Sequence, residues 1–125
     1  MKISDLQIDH QLDQLLELHP KRIDLSLDRI KKLLSKLDSP QNKIENIIHI
    51  AGTNGKFSTL KFIQSILGAM NKTTNAYISP HLVRFNERFE LKDKIIDNDS
   101  LSAILSEVKS TNAEKPITFF EITSA

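Results

Sequence analysis

Asn46-Ile47-Ile48-His49-Ile50-Ala51-Gly52-Thr53-Asn54-Gly55-Lys56-Phe57-Ser58-Thr59 is the stretch on which the fold turns. Residues 46–51 are an apolar run that reads as a buried strand. Gly52 to Lys56 is a tight bend punctuated by glycine. After it, Leu60, Ile63, Ile66, Leu67 and Met70 recur at helical spacing. Thr74-Asn75-Ala76-Tyr77-Ile78 then reads as a second strand, ended by Ser79-Pro80. A strand, bend, helix and strand in that order predict a parallel pair with a right-handed crossover.

The bend has what a phosphate cradle needs. Its small residues let backbone N–H groups approach an oxyanion, a helix N-terminus follows, and Lys56 brings a positive charge. The strict Walker spacing is not met: Ile50 stands where that pattern begins with glycine, and Phe57 follows the lysine, with hydroxyls at Ser58 and Thr59. The competing reading is an Asn-Gly hairpin turn, which the strand-like and helical flanks oppose.

Toward the N-terminus two helices are expected. The first carries Ile8, Leu12, Leu15 and Leu16 and ends before Pro20; the second carries Leu27, Ile30, Leu33, Leu34 and Leu37, is capped by Asp24 or Ser26, and stops at Ser39-Pro40. Toward the C-terminus, Phe89-Glu90-Leu91 and Ile95-Ile96 suggest a small hairpin around Lys92-Asp93-Lys94. A helix capped by Asn98 or Asp99 follows, with Leu101, Ile104, Leu105 and Val108 on its apolar side. Thr118-Phe119-Phe120-Glu121 has capping-box spacing and predicts a last helix, and its nearness to Ala125 is expected of a chain cut short.

Composition narrows the function classes. Lys plus Arg is 17 and Asp plus Glu 16 in 125 residues, without the basic excess of a nucleic-acid binder. The 39% hydrophobic and 26% charged residues suit a packed core. With no cysteine, thiol catalysis and Cys-ligated zinc are excluded and a reducing compartment is the natural setting. No apolar run is long enough to span a membrane, and the first residues lack the apolar centre of a signal peptide, so the expected location is cytoplasmic.

Several separated motifs carry a resemblance. His49 to Lys56, Ser79-Pro80-His81-Leu82-Val83-Arg84-Phe85-Asn86-Glu87-Arg88, Thr118 to Glu121 and Leu18 to Ile30 are similar to folylpolyglutamate synthase, the bifunctional dihydrofolate synthase of the Mur ligase superfamily. The similarity runs from about Leu15 to the last residue. It implies an α/β fold of the phosphate-loop NTPase-like, Mur ligase central-domain type, here an incomplete parallel sheet with flanking helices. Residues 1–45 would be a helical lead-in and 46–125 a truncated core, with the C-terminal domain absent. The implied reaction is addition of L-glutamate to dihydropteroate or a folate through an acyl phosphate, driven by ATP with Mg2+.

By the same resemblance, Thr53, Asn54, Gly55, Lys56, Ser58 and Thr59 would hold ATP, with Lys56 also stabilising charge during transfer. Ser79 would be a metal ligand. Arg22, Ile23, Asp24 and Leu25, together with Thr118, Phe119, Phe120 and Glu121, would line the pteroate site. Phe57 stands where the family usually has glycine, and family members are much longer; an acidic metal ligand, a histidine ligand, a modified lysine and a C-terminal domain are expected beyond residue 125.

Plain readings compete at several residues. Glu121 is equally a capping-box carboxylate, and Asp24 a helix-start acid. His49 reads as structural, Lys31-Lys32 and Lys92-Asp93-Lys94 as solvated surface, and Arg84 or Arg88 as a cation facing substrate carboxylates or phosphates. The leading expectation is therefore a piece of a folate–glutamate ligase, catalytically weak alone. Its rivals are a nucleotide- or pterin-binding remnant without catalysis, half of a split enzyme, and a phosphate-loop ATPase unrelated to folate. The expected partners are small molecules and a missing C-terminal half, with no nucleic acid or membrane.

Overall fold

The computed structural model describes residues 3–18 and 27–125. The chain divides into two compact units, one of residues 1–45 and 98–125, the other of residues 46–97.

The first unit is helical: α1 (Ile3–Leu16), α2 (Asp28–Lys36), α4 (Asn98–Asn112) and α5 (Phe119–Ser124). Its core is Ile8 and Leu15 of α1, Leu33 of α2, Leu101, Leu105 and Val108 of α4, with Ile117 and Ile122, all buried. The apolar stripes expected from the sequence supply the residues of α1, α2 and α4, whereas Ile117 and Ile122 belong to none of them. The outer members of the stripes, Leu16, Leu27 and Ile104, remain exposed. Polar bridges align α1 with α4: Gln11 Nε2 donates to Ser106 Oγ at 2.8 Å, Gln7 Nε2 to Ser102 Oγ at 3.1 Å, and Lys109 Nζ to Gln14 Oε1. Asn98, at the start of α4, donates from Nδ2 to Asp5 Oδ1 at 2.9 Å. The expected caps at Asp24 and Ser26 lie outside the described residues.

The second unit holds α3 (Lys56–Ala69) and three short strands, β1 (Ala76–Tyr77), β2 (Phe89–Leu91) and β3 (Lys94–Ile95). The sheet order is β1-β2-β3 and both pairings are antiparallel, with Ala76 opposite Glu90 and Glu90 opposite Ile95. The expected hairpin is present. Its turn places Lys92 at φ 50° and Asp93 at φ 63°, the paired left-handed residues of a tight two-residue hairpin loop. Asp93 Oδ1 accepts from Thr74 N at 3.0 Å and Thr74 Oγ1 at 2.8 Å, and Lys92 N donates to Asn75 Oδ1 at 2.9 Å. These bonds hold two non-glycine residues in a backbone region they otherwise avoid.

The α/β character stands, but the parallel sheet is corrected. Among the described residues the sheet is antiparallel, and residues 46–51 take no strand pairing. Burial gives the physical reason. Ile47 is 70% and Ile48 61% exposed, so neighbours that point opposite ways are both uncovered, whereas a parallel strand is stable when both faces are buried. The strand at Ala76–Tyr77 pairs instead with β2, close by in sequence. No described helix is long and apolar enough to cross a membrane.

Candidate functional site

The candidate phosphate loop opens α3. Gly55 is the residue before the helix and sits at φ 75°, left-handed backbone that glycine adopts without steric cost. A Cβ there would meet nothing within 4 Å, so this face of the loop is open. Lys56 is the first helical residue, and its Nζ donates to Gly52 O at 2.6 Å. The ammonium therefore lies back over the loop, in a contact that remains open to solvent. Thr53, Asn54, Ser58 and Thr59 are exposed around it. Phe57 is 56% exposed, and Lys61 Nζ, one turn on, lies 5.3 Å from its ring centroid.

Lys61 also joins a second group in this unit. Its Nζ donates to Glu90 Oε1 at 2.6 Å, and Gln64 Nε2 donates to Glu90 Oε2 at 2.8 Å. Burial alone would raise the Glu90 carboxyl, but the Lys61 and Gln64 bonds and the Lys61 charge outweigh it and hold the group below its ordinary value. This network ties α3 to β2.

Ser79 is exposed just past β1, and the loop after it is braced by Glu87. Glu87 accepts from the backbone N–H of Leu82 at 2.7 Å, Val83 at 3.1 Å and Arg84 at 2.8 Å. The bond from Leu82 leads in holding its carboxyl below the ordinary range. Arg88 donates from Nε to His81 Nδ1 at 2.9 Å and lies 5.2 Å from the Phe85 ring centroid. Phe85 stacks edge-on with Phe89, which stacks on Tyr77.

The second candidate cluster is in the helical unit. Thr118 and Glu121 form the expected capping box at the start of α5: Thr118 Oγ1 accepts from Glu121 N at 3.2 Å, and Glu121 Oε2 accepts from Thr118 N at 2.9 Å. Oε2 also accepts from Thr118 Oγ1 at 2.8 Å and from Arg29 Nε of α2 at 3.1 Å. Burial would raise this carboxyl, and the Thr118 and Arg29 bonds bring it below its ordinary value. Oε1 is buried with no partner among the described residues, an orphaned acceptor. Phe119 is half-buried and Phe120 is 59% exposed.

The structure thus gathers Gly52 to Thr59 at one helix start and Thr118 to Glu121 at another. Arg22, Ile23, Asp24 and Leu25 lie outside the described residues. No cluster of three or more His, Asp or Glu side chains that could hold a metal occurs among the described residues; Ser79 contributes a single oxygen. Sequence reasoning missed Arg29 as the partner of Glu121, because nothing local to Leu27-Asp28-Arg29 points to a residue so distant in the chain. It also missed the Arg88–His81 pair, a side-chain contact across the loop after Ser79.

No family model matches the chain. Among curated proteins, the dihydrofolate synthase/folylpolyglutamate synthase of Escherichia coli is 34% identical over 110 residues, 88% of this chain and 26% of that protein. Among solved structures, the folylpolyglutamate synthase of Mycobacterium tuberculosis complexed with ADP is 35% identical with a TM-score of 0.78, over 95% of this chain and 27% of its own. A bifunctional folylpolyglutamate synthase/dihydrofolate synthase with Mn, AMPPNP and L-glutamate bound is 28% identical with a TM-score of 0.82, over 94% of this chain and 28% of its own. The chain spans about a quarter of the length of the curated relative first named.

Proposed function

The chain is a relative of the dihydrofolate synthase/folylpolyglutamate synthases along most of its own length, and from that premise we propose that it is the nucleotide- and pterin-binding part of an ATP-dependent folate–glutamate ligase. The observation that carries this reading is the Lys56 ammonium folded over the Gly52–Gly55 bend at the start of α3. Backbone N–H groups of the bend, the helix N-terminus and one ammonium are the donor set for a chain of phosphates. The known complexes of the relatives with ADP and AMPPNP support the same ligand.

In the ligase reaction a pteroate or folate carboxylate oxygen attacks the γ-phosphorus of ATP and ADP leaves. The amine of L-glutamate then attacks the acyl carbon, and phosphate leaves as the amide forms. Lys56 draws negative charge from the γ-phosphoryl oxygens as the bond to ADP breaks. Thr53 and Asn54 shape the bend, and the Ser58 and Thr59 hydroxyls lie within the first helical turn to donate to phosphate oxygens. Ser79 would supply one oxygen to a divalent cation, which when bound would neutralise phosphate charge.

On the pterin side, the buried Oε1 of Glu121 is an acceptor waiting for a donor, and an amino-pyrimidinone edge offers paired N–H groups. Phe119 and Phe120 add aromatic surface for a flat ring. For the chain alone we propose binding without turnover, the remainder of a ligase supplying the chemistry. Equilibrium dialysis with dihydropteroate tests the pterin half: the wild type retains the ligand and Glu121→Gln retains about tenfold less. Equal retention by both, or none by the wild type, contradicts it.

A further inference from the structure

The loop that follows Ser79 carries a histidine whose protonation pattern is set by its neighbour. An arginine guanidinium is a donor only, so the 2.9 Å contact from Arg88 Nε requires His81 Nδ1 to accept. The ring proton of neutral His81 must then sit on Nε2. Arg88 is itself fixed by the Phe85 ring beneath it, and Phe85 is buried. Phe85 also meets the His81 ring edge-on, with centroids 5.7 Å apart. Three backbone bonds to Glu87 hold residues 82–84 against the same short turn. The loop is thus built around one ring orientation, and the half-buried His81 keeps Nε2 without a partner among the described residues.

We propose that Arg88 is a positioning residue that locks His81 as an Nε2–H donor, and that this donor is aimed at an oxyanion of the ligand bound beside Ser79. The ligand part rests on the function proposed above; the positioning part stands on the Arg88–His81 geometry alone. The two sources of such an oxyanion in that function are a nucleotide phosphate and the carboxylate of L-glutamate. Lys56 is the charged partner of phosphate in this unit, and His81 adds a neutral, directional contact that a flexible ammonium does not give.

Long-range 1H–15N correlation of the histidine rings, at about pH 8 where free imidazole is neutral, reads the tautomer directly. The wild type is expected to show His81 protonated on Nε2. Arg88→Ala shifts it toward a mixture of tautomers, and Arg88→Lys restores part of the preference by keeping a donor. A wild-type His81 protonated on Nδ1, or an Arg88→Ala spectrum unchanged from wild type in a folded chain, overturns the positioning role. Addition of Mg-AMPPNP or of L-glutamate then identifies the oxyanion by which one moves the Nε2–H resonance. His81→Gln, whose amide nitrogen falls near the Nε2 position, keeps affinity for that ligand within about threefold, and His81→Ala loses about tenfold or more. If calorimetry shows that both ligands bind and neither moves His81, the donor role is overturned while the functional reading stands. If neither ligand binds, the functional reading fails and takes the oxyanion with it, and the tautomer alone decides the role of Arg88.

Discussion

Glu121 concentrates three donors on one oxygen and buries the other without a partner. Its carboxyl is held below the ordinary value of 4.5, because the Thr118 and Arg29 bonds outweigh the cost of burial. A carboxyl lowered on folding stabilises the fold fully above 4.5, and that contribution drains away as pH falls from there through the lowered value. Glu121→Gln removes the charge opposite Arg29, which costs about 1.5–3 kcal/mol at neutral pH. Urea unfolding at about pH 7 and about pH 3 should show the difference between wild type and variant shrinking in acid. A difference that grows in acid would mean that the carboxylate is not what Arg29 and Thr118 hold. Glu90 follows the same sign, its desolvation outweighed by Lys61 and Gln64, so Glu90→Gln should likewise lose its effect in acid.

At the scale of elements, the β2–β3 turn is a test of how strain is held. Lys92 takes φ 50° with no side-chain need to do so, while Asn is the better residue in that conformation. Lys92→Asn should stabilise the chain by about 0.5 kcal/mol in denaturant unfolding, and a loss of stability would contradict the turn assignment. The helices of the first unit were legible because each carries its own period: Leu101, Leu105 and Val108 announce α4, and Thr118 with Glu121 announces the start of α5. The hairpin was legible from its polar Lys92-Asp93 centre between apolar residues. The parallel strand at 46–51 was not, because local hydrophobicity says that a segment seeks cover and not whether this chain provides it. The loop at Gly52 to Lys56 was legible as a backbone bend, but the return of Lys56 Nζ to Gly52 O is a side-chain choice that no spacing encodes. The Arg29–Glu121 pair joins α2 to α5, and a pairing at that separation leaves no local signal.

At the scale of the whole molecule, burial is uneven. The first unit has a packed helical core, whereas α3 has no fully buried residue and leaves Phe62 and Ile66 exposed, as is Met70 at its C-terminal cap. Leu101→Ala should therefore cost about 2–5 kcal/mol. Phe62→Ser, by contrast, should stay within about 0.5 kcal/mol. Equal costs in urea unfolding would show that α3 is covered in solution. The chain spans about a quarter of its curated relative, and the nucleotide cradle we propose lies where α3 begins. Isothermal titration of the wild type and Lys56→Ala with Mg-AMPPNP measures that chemistry most directly. A saturable one-to-one isotherm in the wild type, weakened at least about tenfold in the variant, is the expected result; no heat in the wild type, or an isotherm indifferent to Lys56, would contradict the account.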